Sequence, residues 1–327
     1  TASGNKAVTG VGFQPDWVWT KNRVDAYGHN LYDSVRGTGK YLQSNGNSAE
    51  SSSATSMVSF DSDGFTVGTG DNVQYSSNNG VSWNWKAGGS ASSNSDGSTT
   101  TSISANTSSG FSIVSWTGTG SATTLGHGLN SKPEMIFIKN RDATQNWVVY
   151  NSYLSGTEGH KALYLDLNYA ETDQTGFFND TAATSSVFTV GSNGNTNNSG
   201  DDFIAYCFHS VKGYSKIGKW TGNGNADGPF VYTGFRPAWI LRKEISNADV
   251  WIINDTKRST INNGSIAPLY PHLTNSEPSG VNFDFLSNGF KIRNSDGDSN
   301  TLNATFIYMA FAESPFVNSN GVPNNAK

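Results

Sequence analysis

The sequence predicts an all-β protein built from three tandem antiparallel β-sandwich domains of jelly-roll or lectin-like type. Three observations carry that expectation: a motif written three times, short β-branched and aromatic runs separated by Gly, Asn, Asp and Ser, and almost no amphipathic helical patterning. The motif reads GFQPDWVWTKNR at 12–23, LNSKPEMIFIKNR at 129–141 and GFRPAWILRKE at 234–244. Aligned on Pro15, Pro133 and Pro237, the copies share a lysine six places on (Lys21, Lys139, Lys243). His29, Trp147 and Trp251 lie fourteen places on, and Asp33, Asn151 and Asp255 four places after those. Phe65, Phe188 and Phe290 then hold equivalent places in SDGFTVG, SSVFTVG and SNGFKIR, followed 20 or 21 positions later by Trp85, Phe208 and Phe311. A register kept over some 70 positions marks a tandem repeat of about 100 residues, too long for a propeller blade of roughly 40.

Each element follows in chain order. WVWTK, EMIFIK and AWILRK suit partly buried strands, and SDG and SNG supply the positive φ of tight hairpin turns. A further tryptophan precedes the second and third prolines by 17 places, Trp116 and Trp220, and its first-copy counterpart would fall before Thr1. Either a larger parent protein has an upstream part, the favoured reading, or the first repeat differs at its start. The expected division is repeat 1 at 1–88, a Ser/Gly/Thr-rich linker or loop at 89–109, repeat 2 at 110–212, repeat 3 at 213–316 and a C-terminal tail at 317–327. The HSVKGYSKIGKW join is short, so repeats 2 and 3 are expected to be rigidly related and repeat 1 to move more freely.

Composition narrows the function classes. The chain has 36 Gly and only 14% charged residues, so its polar surface comes mostly from Ser, Thr, Asn and Gly, as in many extracellular β-proteins and virion proteins. With 9 Trp, 13 Tyr and 18 Phe it has side chains for several small cores. A net charge of −5 without a run of Lys or Arg argues against nucleic acid as a partner. No apolar stretch reaches 18 residues, so no membrane insertion is expected. The single Cys207 rules out an internal disulfide framework.

The segments GFQPDWVWTKNR, HNLYDSVRG, AE (49–50) and VSFDSDGFTVG (58–68) together resemble a module of uncharacterised function in tail-fibre and other appendage proteins of marine bacteriophages, including cyanophages. The match is closest over 12–87 and weakens where DSVRG becomes NSYLSG and NDTKRS. The resemblance implies a virion component on the virion surface or otherwise extracellular, an exposed fibre, spike or decoration protein that contacts host surface glycans. It also implies partners: other virion proteins, and further copies of the chain, with a trimer favoured by analogy with tail fibres. It brings no assigned catalytic residue.

Residue by residue, the bland reading is the stronger one. Asp33, Asn151 and Asp255 recur in every copy, which suits turn bonding to the local backbone better than catalysis. The recurring lysines are expected to end a strand with a snorkelling ammonium. DSDG (61–64) and NSDGDSN (294–300) fall short of a calcium loop, and the five histidines (His29, His127, His160, His209, His272) show no zinc spacing, so no metal or other cofactor is expected. Cys207 lies in a strand run without a base to make its thiolate. Where the copies disagree, repeat 2 carries LYLDLNYAETDQTGFFNDT (163–181). Its Tyr169, Phe177 and Phe178 beside Asp173 and Asp180 form the candidate ligand site, since aromatic faces flanked by carboxylates suit sugars. The same residues equally suit a subunit interface or a small core.

The leading expectation is a non-enzymatic virion structural protein. A secreted bacterial carbohydrate-binding or adhesive protein and a polysaccharide-degrading tailspike are the alternatives.

Overall fold

A computed structural model describes residues 4–70, 79–258, 266–280, 283–313, 316–317 and 323–324. The chain is all-β, with several antiparallel sheets. Each repeat places its proline-motif strand beside the strand that ends the repeat: Trp17↔Trp85, Met135↔Phe208 and Trp239↔Phe311 are opposite partners. On its other side the motif strand forms a hairpin that pairs Trp17 with Asp33, Met135 with Asn151 and Trp239 with Asp255. The alignment made on sequence is therefore a structural register.

The motif strands are buried on both faces, which is why they read as nearly continuous apolar runs. Alternation sends successive side chains to two different cores. Trp17 and Trp19, Met135 and Phe137, and Trp239 and Leu241 point to one side. Val18, Ile136 with Ile138, and Ile240 point to the other, each under a small outer sheet of its own repeat. Those outer sheets are Lys6–Thr9, Gly64–Val67 and Met57–Asp61; Thr123–Gly126 and Val187–Val190; and Phe230–Tyr232, Gly289–Ile292 and Phe283–Leu286. Each repeat is thus sandwich-like. Gly64 and Gly289 permit the outer pairing, because a Cβ at either would overlap the carbonyl oxygen of Val8 or Val231 opposite.

The inner faces change the expected organisation. The three large sheets do not each fill a core alone; residues of all three repeats form one cluster. Trp17 stacks on Tyr206 with ring centroids 4.5 Å apart, Trp85 meets Trp239 at 5.4 Å, and Phe208 meets Phe311 at 6.2 Å. Three satellite cores under the outer sheets complete the interior. Repeat 1 is accordingly packed into the same core as the others rather than tethered to them.

The segment 89–109 also differs from a linker. Ser92–Asn94 and Thr101–Asn106 are strands that extend the large sheet of repeat 2, with Ser102↔Ser115 and Ile103↔Val114 paired. Thr101 and Ile103 are buried there, which offsets the entropy of ordering so polar a stretch. In the tail, Phe316–Val317 pairs with Pro323–Asn324, and the rest of 317–327 lies outside the described residues.

Candidate functional site

The repeated polar side chains sit where the repeats meet, and the meeting is cyclic. Glu50 N–H donates to Arg141 O at 2.7 Å, Glu171 N–H to Ile245 O at 3.0 Å, and Glu277 N–H to Arg23 O at 2.7 Å. Repeat 1 thus reaches repeat 2, repeat 2 reaches repeat 3, and repeat 3 returns to repeat 1. Trp147 Nε1 donates to Gln43 O at 2.9 Å and Trp251 Nε1 to Tyr164 O at 2.7 Å across two of these junctions. His29, in the matching place of the third, accepts from Trp19 Nε1 at 3.0 Å and also interacts with the Tyr270 backbone of repeat 3.

Two junctions carry a buried charge network. Asp33 turns its chain by accepting from Val35 N and Arg36 N, as a turn-forming aspartate should. Its other oxygen takes Arg36 Nε and the Tyr206 hydroxyl of repeat 2, the latter at 2.7 Å. Arg36 continues to Glu50, which Arg141 of repeat 2 also grips at 3.0 and 3.1 Å. Asp255 repeats the pattern with Arg258 at 2.5 Å, Trp83 Nε1 of repeat 1 at 3.1 Å, and Glu277 held by Arg23. Burial pulls the Arg36 guanidinium down, but Asp33, Tyr206 and Glu50 more than offset it, so it ends above its ordinary value. Burial likewise pushes the Glu50 carboxyl up, yet the Arg141 hydrogen bond and the Arg36 and Arg141 charges hold it at about 2.

The junction from repeat 2 to repeat 3 has lost this network. Asn151 stands for the aspartate, Leu154 for the arginine, Ile245 for the gripping arginine and Met309 for the donor. Asn151 still turns the chain through Tyr153 N, but its Nδ2 is buried without a partner. Glu171 bonds Lys161 at 2.9 Å and Ser155 within its own repeat instead. The arginines and glutamates went unread in sequence, although the drift from DSVRG to NSYLSG and NDTKRS was their visible trace.

The lysines do not snorkel. Lys21, Lys139 and Lys243 are at most 1% exposed, each ammonium donating to carbonyls of its own turn: Asn22 O at 2.7 Å, Asn140 O at 2.8 Å, and Glu244 O. Lys21 also reaches Thr274 O at 3.1 Å and Lys139 reaches Asn47 O at 3.2 Å, both across junctions. Burial lowers all three to about 8, opposed in part by Asp25, Asp166 and Asp249. The repeated spacing is structural because a strand-end turn supplies the carbonyl cage, joined for Lys21 and Lys139 by a carbonyl of the neighbouring repeat.

Buried histidines set an acid limit. Burial holds His127 and His272 at about 4 and His29 well below its ordinary value, with Lys21 and Arg258 adding to the last. Unfolded, these rings protonate near 6.5, so their contribution is intact above that pH and is lost as pH falls from 6.5 toward 4. Asp166, raised by burial to about 6, works in the opposite sense between 6 and 3.8, since its fold prefers the neutral carboxyl. Glu50 joins the histidines below 4.5. Asp249, also raised by burial, acts with Asp166, and three rings against two carboxyls predict a melting temperature that falls from pH 6.5 to 4; a flat or rising profile in a pH series of thermal melts contradicts this balance.

The candidate ligand residues of repeat 2 separate into two sets. Phe177 and Phe178, in the short helix Thr175–Phe178, are 1% exposed and fill the satellite core, where they meet Tyr164 and Tyr150 edge-on. Neither presents a face to a ligand, because the turn that carries them folds inward under the Val187–Val190 strand, with Gly191 N–H donating to Phe177 O. Asp173 and Asp180 come together on the two ring nitrogens of His160, each at 2.9 Å. Tyr169 is 53% exposed and touches the edge of Tyr164. Cys207 is fully buried, and burial pushes its thiol up.

A groove of about 340 Å³ was not anticipated. It runs along the strand Ser215–Thr221 between Tyr153 and Tyr308 on one side and Phe230 and Tyr232 on the other, with Lys216 and Lys219 at its rim. Lys216 donates to Tyr232 O at 3.1 Å. A Cβ on Gly218 would meet the Tyr308 hydroxyl at 2.8 Å, so the glycine makes room for that ring.

Fold and junctions together define a β-rich protein of repeated, sandwich-like antiparallel sheets joined in one core. The chain belongs to the family described as a domain of unknown function (DUF7483), whose model matches residues 1–315. No curated protein and no solved structure matches the chain.

Proposed function

We propose that the protein is a non-enzymatic structural component of a bacteriophage virion, displayed as part of a fibre, spike or decoration, where it binds other virion proteins and touches host surface glycans. The observation that carries this reading is the use made of the recurring polar residues: Lys21, Lys139, Asp33, Arg36, Asp255 and Arg258 are buried in the junctions, holding repeats together rather than facing a cavity. The resemblance of residues 12–87 to appendage modules of marine phages supports the setting. Finer jelly-roll topology and three separate domains belong to the same proposal, with the qualification that the inner face is shared. Self-association as a trimer is the companion expectation. The cyclic closure of three repeats in one chain already supplies the threefold packing that a trimeric fibre obtains from separate chains.

Mass spectrometry and immunogold microscopy of purified particles test the reading; the protein is expected on the particle surface, and its absence there overturns it. Glycan contact falls to the exposed members of the repeat 2 set, Tyr169, Asp173 and Asp180. On a glycan array Tyr169→Ala is expected to lose about tenfold in affinity, as removal of a stacking ring should. Reducing-end release from capsular polysaccharide, abolished by one carboxylate substitution, would establish the tailspike alternative in its place.

A further inference from the structure

We infer that the groove beside Ser215–Thr221 is a strand-acceptor site, which takes an extended segment of another polypeptide with the order acidic, apolar, any residue, acidic. The inference rests on the structural reading above and names the kind of partner that reading requires.

The chain carries its own example of the filled state. Trp116 and Trp220 are equivalent, so Phe111–Thr117 in repeat 2 corresponds to Ser215–Thr221 in repeat 3. In repeat 2 the free side of that strand is paired by Thr101–Asn106, and Ile103 sets its side chain into the satellite core opposite Val114. The residues just before it close the outer sheet as well, where Thr99 N–H donates to Thr124 O at 3.1 Å. Repeat 3 has no such segment, because the join from repeat 2 is short. Among the described residues Ser215–Thr221 is an outer strand of its sheet, paired along its length with Thr305–Ala312 and bridged on its other side at Ser215, to Val211, and Phe230–Tyr232 is an outer strand of the other.

The groove is the space left between those two edges. The Val114 and Ala205 pair of repeat 2 has become Gly218 and Tyr308, which gives the floor a flat ring. Thr124 and Gly126 have become Phe230 and Tyr232, which stand 46% and 58% exposed as walls. Exposed aromatics of this size beside an open strand edge are an unusual liability unless something covers them.

Register and charge define the occupant. The Val211 and Ser215 bridge shows which groups of the strand face outward: those of Ser215, and by alternation those of Ile217 and Lys219. The Ser215 groups are taken by Val211 and the Ile217 N–H by Ser210 Oγ at 2.9 Å, so an antiparallel segment bonds both backbone groups of Lys219 and the Ile217 carbonyl, which places the residue opposite Gly218 over the Tyr308 ring, where an apolar side chain fits. The residues opposite Lys219 and Lys216 face an ammonium each, which favours Asp or Glu. A second copy offers no free equivalent, since its own Thr101–Asn106 is already paired.

The probe is a synthetic peptide of residues 99–105 carrying Ser102→Asp and Ala105→Asp, the positions that would lie opposite Lys219 and Lys216, and it ends before the position opposite Ser215, whose outward groups Val211 already holds. Binding to the full chain, read by amide exchange, is expected to protect the Lys219 amide. Lys219→Pro removes a donor directed away from Thr305–Ala312, so the sheet survives and affinity is expected to fall at least about tenfold. Lys216→Glu with Lys219→Glu is expected to reject the acidic peptide and to bind its Ser102→Lys, Ala105→Lys counterpart. No protection in the native chain, binding unaffected by Lys219→Pro, or capture of an acidic oligosaccharide in preference to both peptides would each overturn the inference. Peptide binding by a protein absent from virions would leave the acceptor site standing and remove only the virion reading.

Discussion

Residues 110–212, expressed alone, are expected to fail to fold as a stable monomer. In the full chain this repeat gives eleven large or apolar side chains to the shared core, from Phe111 and Ile113 through Trp147 to Tyr206 and Phe208. At roughly 1.5–3 kcal/mol for each side chain moved from water to the interior, their burial is worth about 15–30 kcal/mol, against a typical net stability of 5–15. Leaving even half of them exposed exceeds what the satellite core could return. The same sharing predicts that the whole protein melts in one transition, because no large sheet can leave without stripping the others. Trp17→Ala is then expected to cost about 3–5 kcal/mol and to lower that one transition throughout, since Trp17 packs on Trp85, Phe111, Tyr206 and Phe208. A monodisperse isolated repeat with a cooperative melt, or separate calorimetric transitions in the full chain, would contradict the single core.

Asp33→Ala is expected to destabilise the protein by about 3–5 kcal/mol, because it leaves the wholly buried Arg36 without its closest counter-charge and the Tyr206 hydroxyl without its acceptor. The protein contains a control for this in its other junction, where Asn151 and Leu154 do without the pair. The double variant Asp33→Asn, Arg36→Leu copies that arrangement and removes both charges together, so its cost is expected to stay within about 1–2 kcal/mol. Glu50 retains Arg141 and Lys40 in that variant. Denaturant melts of the two variants decide the matter: equal losses would mean that the pair matters for its shape and not for its charge.

Much of the candidate chemistry was legible because it was repeated. The turn-forming role of Asp33, Asn151 and Asp255 follows from their recurrence, and each accepts from backbone amides two residues on. The lysines were harder. A lysine at a strand end reads as exposed in any single repeat, and here a second repeat brings Thr274 O against Lys21 and Asn47 O against Lys139. Phe177 and Phe178 misled for a related reason: an aromatic pair in a polar insertion looks exposed until the chain turns it inward. The groove left no mark at all in one repeat's sequence, since it exists as the absence in repeat 3 of a segment that repeat 2 possesses.

The amino-acid order by itself settled the all-β class, the repeat length and the register in which equivalent residues lie opposite one another, because alternation, turn chemistry and recurrence are local properties of the chain. Tertiary structure decided what the two faces of each motif strand meet: one its own outer sheet, the other the remaining repeats. Period-two alternation states that a strand is buried on both sides, but it says nothing of which surfaces do the burying, and that choice joined the inner faces of the three repeats in one shared cluster.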